Sequence, residues 1–316
     1  VPDQIPVHAG PYALGVFDTG AGPVPGLLAG GRVRELDAAV VTDVLGAWDD
    51  LAALAARRDG RWIPVEETTV HAPVAPRQVL QSGANFHRHV LDLVMAEFRA
   101  DNEGMTTAEA YAAGKAMMDA RLAGGEPYVF IGLPAAITGP YDEVILPDRG
   151  KAHDWELELA VVIGETARNV PVADAMRYVA GYTISNDITT RDQLYRPDLK
   201  KIGTDWLSAK NAPTFLPTGP LLVPAPFVDD PMDLRISLRH NGVIRQDEST
   251  ADMIFDIARL ISYTSHRTPL FPGDLLLTGS PAGNGAHWGV SLRPGDVMDA
   301  AITGLGHMRN TCVAQR

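Results

Sequence analysis

The chain has 316 residues, 46% apolar and 21% charged, with a formal net charge of -12. This is globular composition, with length for a small unit beside a larger one; the negative charge, without any Lys/Arg-rich run, excludes nucleic acid as an expected partner. Cys312 is the only cysteine, which excludes an intrachain disulfide, a thiolate zinc site and a Cys-X-X-Cys pair.

No apolar run reaches the roughly 18 residues of a membrane span, and the N-terminus lacks a basic-then-apolar leader. The expectation is a soluble cytoplasmic protein with no membrane partner. Residues 1–72 read as a small N-terminal α/β domain. Tyr12 to Phe17 is a short apolar run bounded by Gly and Pro, which predicts a strand. Leu45, Trp48, Leu51, Leu54 and Ala55 have helical spacing within 45–57. His71 to Pro76 reads as a linker, and 73–316 forms the main domain.

That domain opens on Val79-Leu80-Gln81-Ser82-Gly83-Ala84-Asn85 and turns helical, with Val90, Val94 and Phe98 on one face. Thr106 and Glu109 have capping-box spacing, so a helix is predicted over 107–122, ended by Gly124-Gly125. A helical lid insertion over 92–125 is expected, carrying Met95, Met105, Met117 and Met118. Those methionines would close over a pocket or pack against the N-terminal unit or a dimer mate. From Pro127 onward short β-rich runs dominate, at 144–146, 157–163, 178–185 and 234–238. Asn241-Gly242 is a hairpin signal, 250–264 a predicted amphipathic helix, and two Pro-Gly-Asp turns at 272–274 and 294–296 each lead into a strand.

Chemistry first shows in Trp155-Glu156-Leu157-Glu158, followed by an apolar run to Ile163. Strand side chains alternate, so Glu156 and Glu158 share a face. Two carboxylates together repel unless a cation joins them, and oxygen donors suit Mg²⁺, Mn²⁺ or Ca²⁺. The alternative is two glutamates on a solvated strand edge. Asp187 ends the apolar run 178–185 within Ser185-Asn186-Asp187. It fits a third metal ligand, or an Asx turn or helix cap. No Gly-X-Ser-X-Gly, His-Glu-X-X-His, Walker or Gly-X-Gly-X-X-Gly motif occurs.

Glu-X-Glu before Val-Val-Ile-Gly, then Gly181-Tyr182 with Asn186-Asp187 and Arg191-Asp192, resembles the fumarylacetoacetate hydrolase (FAH) family. Gly83-Ala84-Asn85-Phe86-His87-Arg88-His89 is similar to its Gly-X-Asn-Tyr-X-X-His. Lys210 with Pro217-Thr218-Gly219-Pro220, Asn241-Gly242 with Gln246 to Phe255, and Pro272 to Gly283 fit further family segments in order, covering roughly 77–312. The resemblance implies an α+β fold whose catalytic domain is a mixed β-sandwich or β-roll, commonly dimeric. It implies Mg²⁺ or Mn²⁺ on Glu156, Glu158 and Asp187.

By the same resemblance, His89 is the general base, with His87 its rival. Asp92 partners the histidine one helical turn on, or is simply a first-turn acid. Lys210 balances developing negative charge, and Arg191, Gln193, Thr278, Gly279, Ser280 and Gly283 contact substrate. The expected reaction is hydrolysis of a C–C bond in an acylpyruvate or related β-diketo acid through a metal-stabilised enolate. Decarboxylation, hydration or isomerisation of a small 2-oxo acid is the alternative. Two departures fall in the pocket: the family's Phe-X-Lys-Pro lysine is missing at Phe130-Ile131-Gly132-Leu133-Pro134, and Leu194 stands where some relatives carry glutamine.

Overall fold

A computed structural model describes residues 8–57, 59–102, 104–199 and 203–316. It is α+β, built on a 12-stranded sheet and a 5-stranded sheet. Leu157–Ile163 lies at the heart of the larger one, and every residue in it is buried. A strand covered on both faces reads as an unbroken apolar run. Here the run splits by parity. Leu157, Leu159, Val161 and Ile163 join the main core, while Ala160 and Val162 join a second cluster with Leu14, Leu27, Leu222, Leu275 and Leu277. Each fully buried Leu or Val of this kind stabilises by about 1.5–3 kcal/mol relative to exposure.

On one side of that strand runs Val179–Asn186, antiparallel, pairing Leu157 with Asn186 and Glu158 with Ser185. On the other side come Leu275–Leu277, then Val79–Gly83, then Tyr128–Gly132 at the edge. The smaller sheet runs Val243–Ser249, Arg235–His240, Val297–Ile302, Gly306–Ala314 and Val144–Leu146. Its first two strands form the expected hairpin, with Asn241 and Gly242 at φ of 51° and 80°, the left-handed pair that such a turn requires.

The N-terminal strand Ala13–Asp18 continues the large sheet, with Leu14 opposite Leu222. Its other neighbours include Thr69–His71, so the expected linker begins as a strand at His71. The helix of this section spans Trp48–Ala56.

Two helices, His87–Asp101 and Thr107–Gly124, are inserted between the neighbouring strands Val79–Gly83 and Tyr128–Gly132. Thr106 and Glu109 make the expected capping box. Val90, Val94 and Met118 enter the main core, with Phe98 packed against it; Met117 is exposed. Gly114 lets the helices meet closely, since a Cβ there would lie 2.7 Å from Leu91 Cδ1.

The helix expected from residue 250 starts later, at Ile257, and runs to Ser265. The backbone N–H groups of Ile254 and Phe255 donate to the carbonyl and side-chain oxygen of Asn85. They are therefore unavailable to a helix ladder, and Asp256 caps the shorter helix by accepting from the N–H of Arg259. Among the described residues no helix is long and apolar enough to cross a membrane.

Candidate active site

Glu156 directly precedes the Leu157–Ile163 strand and Glu158 lies within it; Asp187 directly follows the neighbouring strand. Strand pairing therefore brings together acids far apart in the sequence. One ligand atom from each of Glu156, Glu158 and Asp187 lies within 4.8 Å of the other two, and all three are buried. The local backbone is pinned by amides: Asn186 Oδ1 accepts from the N–H of Glu156 at 3.0 Å, and Gln246 Oε1 from that of Leu157 at 3.2 Å.

Three buried carboxylates demand positive charge. Lys210, on the short helix Trp206–Lys210, is buried and donates to Glu156 Oε2 at 2.7 Å, to Thr189 Oγ1 at 2.7 Å and to Asp187 Oδ2. Arg191 ion-pairs with Glu156 and donates through Nε to Asp154 Oδ2 at 2.8 Å. Burial pushes the Glu156 carboxyl upward, but Arg191 and then Lys210 outweigh it and hold it at about 2. Glu158 makes no ion pair among the described residues and is raised well above its ordinary value, by burial first and then by Asp187 and Glu156, against a weaker pull from Lys210. Burial raises Asp187 too, to about 6, against the pull of Lys210.

Lys210 and Arg191 thus satisfy one end of the cluster and leave the Glu158 end electron-rich. Asp187 Oδ1 is buried without a hydrogen-bond partner. An all-oxygen donor set with an unmet acceptor and a carboxyl raised by its neighbours fits a hard divalent cation.

His89 stands on the first turn of His87–Asp101, half-buried and within electrostatic reach of Glu156, Arg191, Asp154 and Asp92. Burial lowers its pKa, so the imidazole is neutral near pH 7 and able to accept a proton. His87 points elsewhere: its Nδ1 lies 2.9 Å from the carbonyl of Asp252. Asp92, expected to bond His89, instead has Oδ2 3.4 Å from Nδ1 of His287. No hydrogen bond joins Asp92 to His89 among the described residues. The i, i+3 spacing places the two near each other, but His287, on the short helix Gly285–Trp288, supplies the closer partner.

The glycine-rich loop grips carboxylates of the centre. Gly279 N–H donates to Glu158 Oε2 at 2.7 Å. The Thr278 hydroxyl is used on the carbonyl of Leu159 at 3.0 Å, and Ser280 Oγ accepts from Gln246 Nε2 at 2.9 Å. Gly283 is required by space, since a Cβ would lie 2.1 Å from the carbonyl oxygen of Arg245. Gln193 packs its Cγ beside Gly150.

Asp154 escaped the sequence reading although it is part of the site. It accepts from Arg191, from the N–H of Ala286 at 3.1 Å and from the N–H of Gly285. Its signal was present: Asp154, Glu156 and Glu158 alternate.

A mixed-sheet fold that encloses three buried carboxylates, with a part-buried histidine in electrostatic reach of them, has the makings of an enzyme site. The family profile for the fumarylacetoacetate (FAA) hydrolase C-terminal region matches residues 78–313, and the chain belongs to that family. The 2,4-didehydro-3-deoxy-L-rhamnonate hydrolase of Sphingomonas sp. (strain SKA58) is 43% identical over 187 residues, 58% of this chain and 64% of that protein. Oxaloacetate tautomerase FAHD2B, mitochondrial, of Homo sapiens is 41% identical over 190 residues, 60% of this chain and 59% of that protein. The chain thus spans less than two thirds of either relative's length. The maleylpyruvate hydrolase from Sphingobium sp. SYK-6, solved in complex with manganese(II) ion and pyruvate, matches with a TM-score of 0.71 at 26% identity, covering 96% of this chain and 100% of that one.

Proposed function

We propose that this protein is a divalent-metal-dependent hydrolase that cleaves a C–C bond in an acylpyruvate or related β-diketo acid. The observation that carries the reading is the buried meeting of Glu156, Glu158 and Asp187, with the unpartnered Asp187 Oδ1. These three side chains would hold Mg²⁺ or Mn²⁺, which supplies Lewis acidity toward the 2-oxo acid end of the substrate. The neighbour solved with manganese and pyruvate supports this, since pyruvate is the half such a cleavage releases.

The chain's own groups divide the remaining work. Neutral His89 takes a proton from water, whose oxygen attacks the distal carbonyl carbon. The C–C bond breaks with its electron pair passing toward the 2-oxo oxygen, and the proton held on His89 returns to the released carbon. Lys210 lies against Glu156 and Asp187 and offsets negative charge gathering there. Arg191 keeps Glu156 ionised.

Turnover of acylpyruvates before and after chelation tests the reading: activity is lost in excess EDTA and restored by Mn²⁺. Full activity in the metal-free protein would end it. His89→Ala is expected to lower kcat at least about 100-fold. Because burial lowers the His89 pKa, the acid limb of kcat/KM should fall below the ordinary 6.5. A limb above that value would remove His89 as the base.

A second reading is keto–enol tautomerisation of an oxo acid, favoured by the tautomerase relative and by Asp92 lying on His287. That reaction needs one group to shuttle a proton and no water attack. Oxaloacetate enol decay faster than acylpyruvate cleavage would select it.

A further inference from the structure

Three aromatic rings stand beside Lys210. Its Nζ lies 5.6 Å from the centre of the Phe130 ring and 5.8 Å from that of Trp206. Those two rings stack at 4.2 Å, 12° from parallel. Tyr128 completes the group, 6.0 Å from Phe130 and 6.3 Å from Trp206, and its hydroxyl accepts from Trp206 Nε1 at 3.0 Å. Alternation puts Tyr128 and Phe130 on one face of the strand Tyr128–Gly132. Asn211 follows the short helix of Trp206 and Lys210, and its Oδ1 accepts from the N–H of Leu133 at 2.6 Å, which ties helix to strand.

None of the three rings belongs to either buried apolar cluster, although Phe130 is only 9% exposed. They pack on each other, on Lys210 and over Gly83, where a Cβ would lie 2.9 Å from Tyr128 Cδ1 and 3.5 Å from Phe130 Cε1. Gly83 ends its strand, and the helix that carries His89 begins at His87. The rings therefore form a wall from the ammonium beside Glu156 and Asp187 to the segment that leads to His89. It grades outward from buried Lys210 and Phe130 to Tyr128, which is 45% exposed.

An ammonium has three N–H donors, and those of Lys210 go to Glu156, Asp187 and Thr189. The strand Tyr128–Gly132 bears no charged side chain. A second carboxylate lodged against this wall would lose water, gain no donor from Lys210, and face rings whose quadrupole is negative. An aryl group would meet the same rings offset or edge-on, which is favourable.

We propose that Tyr128, Phe130 and Trp206 are the specificity surface for the substrate's tail and select an uncharged aromatic acyl group. The inference rests on the reading above, in which a 2-oxo acid binds at the carboxylate centre. It narrows the acid to an aroylpyruvate or a close relative, in place of one that ends in a second carboxylate.

Calorimetry on the Mn²⁺-loaded protein tests it with 2-oxo acids that lack a second ketone and are not cleaved: 2-oxo-4-phenylbutanoate, 2-oxoadipate and pyruvate. The phenyl acid is expected to bind about tenfold tighter than either of the others. Tyr128→Ser should cut that advantage to about threefold or less, weakening the phenyl acid more than pyruvate. Tyr128→Phe keeps the ring, loses the bond to Trp206 and should retain the advantage. Trp206→Leu should act as Tyr128→Ser does; where it does not fold, the two Tyr128 variants decide. A merely structural wall would lower affinity for all three acids alike, and that result overturns the proposal. So does 2-oxoadipate binding as tightly as the phenyl acid, or an advantage that survives Tyr128→Ser. Pyruvate bound with no phenyl preference overturns this inference alone and leaves the metal reading standing. A protein that binds none of the three acids overturns both. A phenyl preference in a protein that cleaves no acylpyruvate supports this inference and ends only the hydrolase reading.

Discussion

Glu158 and Asp187 are both raised above their ordinary range, while Glu156 is held down beside Arg191 and Lys210. The sign of the pH dependence follows. A raised acid favours the folded protein while protonated, and that contribution is lost as pH climbs through the folded value, about 6 for Asp187. A cation needs the deprotonated form, so binding should release a proton and strengthen between about pH 5 and 7. Mn²⁺ should therefore raise Tm more at pH 7.5 than at pH 5.5. Calorimetry in buffers of different ionisation enthalpy would count the protons, and buffer-independent heats would contradict the arrangement. The acids of this centre were legible because alternation in a strand is visible in one dimension. What lies across from them was not. Arg191 reaches Asp154 and Glu156 only through a tertiary approach that no local pattern encodes.

Among the elements, the inserted helical pair was legible by its caps and spacing, and its attachment was not. Arg121 Nη1 donates to the carbonyl of Ala84 at 2.7 Å, tying the second helix to the base of the first. Asp92 meets His287, so the segment from Gly279 into the short helix Gly285–Trp288, which supports Glu158 through Gly279 and Asp154 through Gly285 and Ala286, also touches the helix bearing His89. Both partners are about two-fifths exposed (side-chain values 40% and 42%), so the contact is weak, on the scale of about 0–1 kcal/mol. Asp92→Asn and His287→Phe should each raise KM modestly and combine less than additively in a double-mutant cycle. Full additivity would show that the two side chains act apart. Gly114→Val is the stronger perturbation. Its branched side chain would collide with Leu91, costing about 1–3 kcal/mol. Amide exchange across 107–122 should accelerate while metal affinity is unchanged. The misplaced start of the 257–265 helix has the same origin as the missed attachments. Amphipathic spacing alone could not show that Asn85, 170 residues away, takes the N–H of Phe255.

At the scale of the whole molecule, residues 1–72 read as a small N-terminal domain before a linker, and the first strand of that section pairs with Leu216–Pro224 of the large sheet. Leu14 faces Leu222 across that junction, and both lie in one buried cluster with Leu27, Ala160, Val162, Leu275 and Leu277. Ala160 and Val162 belong to the strand that carries Glu158 and have its parity, so the cluster shared with the N-terminal strands continues along the face that carries this carboxylate. Segments that share a core and a sheet unfold together, whereas segments joined only by a linker can melt separately. Leu14 is fully buried, and Leu14→Ala should cost about 2–5 kcal/mol through lost burial and the cavity left behind. The expected thermogram is one transition shifted downward, with Mn²⁺ moving the whole of it upward in parent and variant alike. Two transitions, with only the earlier one lowered by Leu14→Ala and only the later one raised by Mn²⁺, would mean that residues 1–72 fold as a domain of their own and that the shared cluster does not couple them to the site.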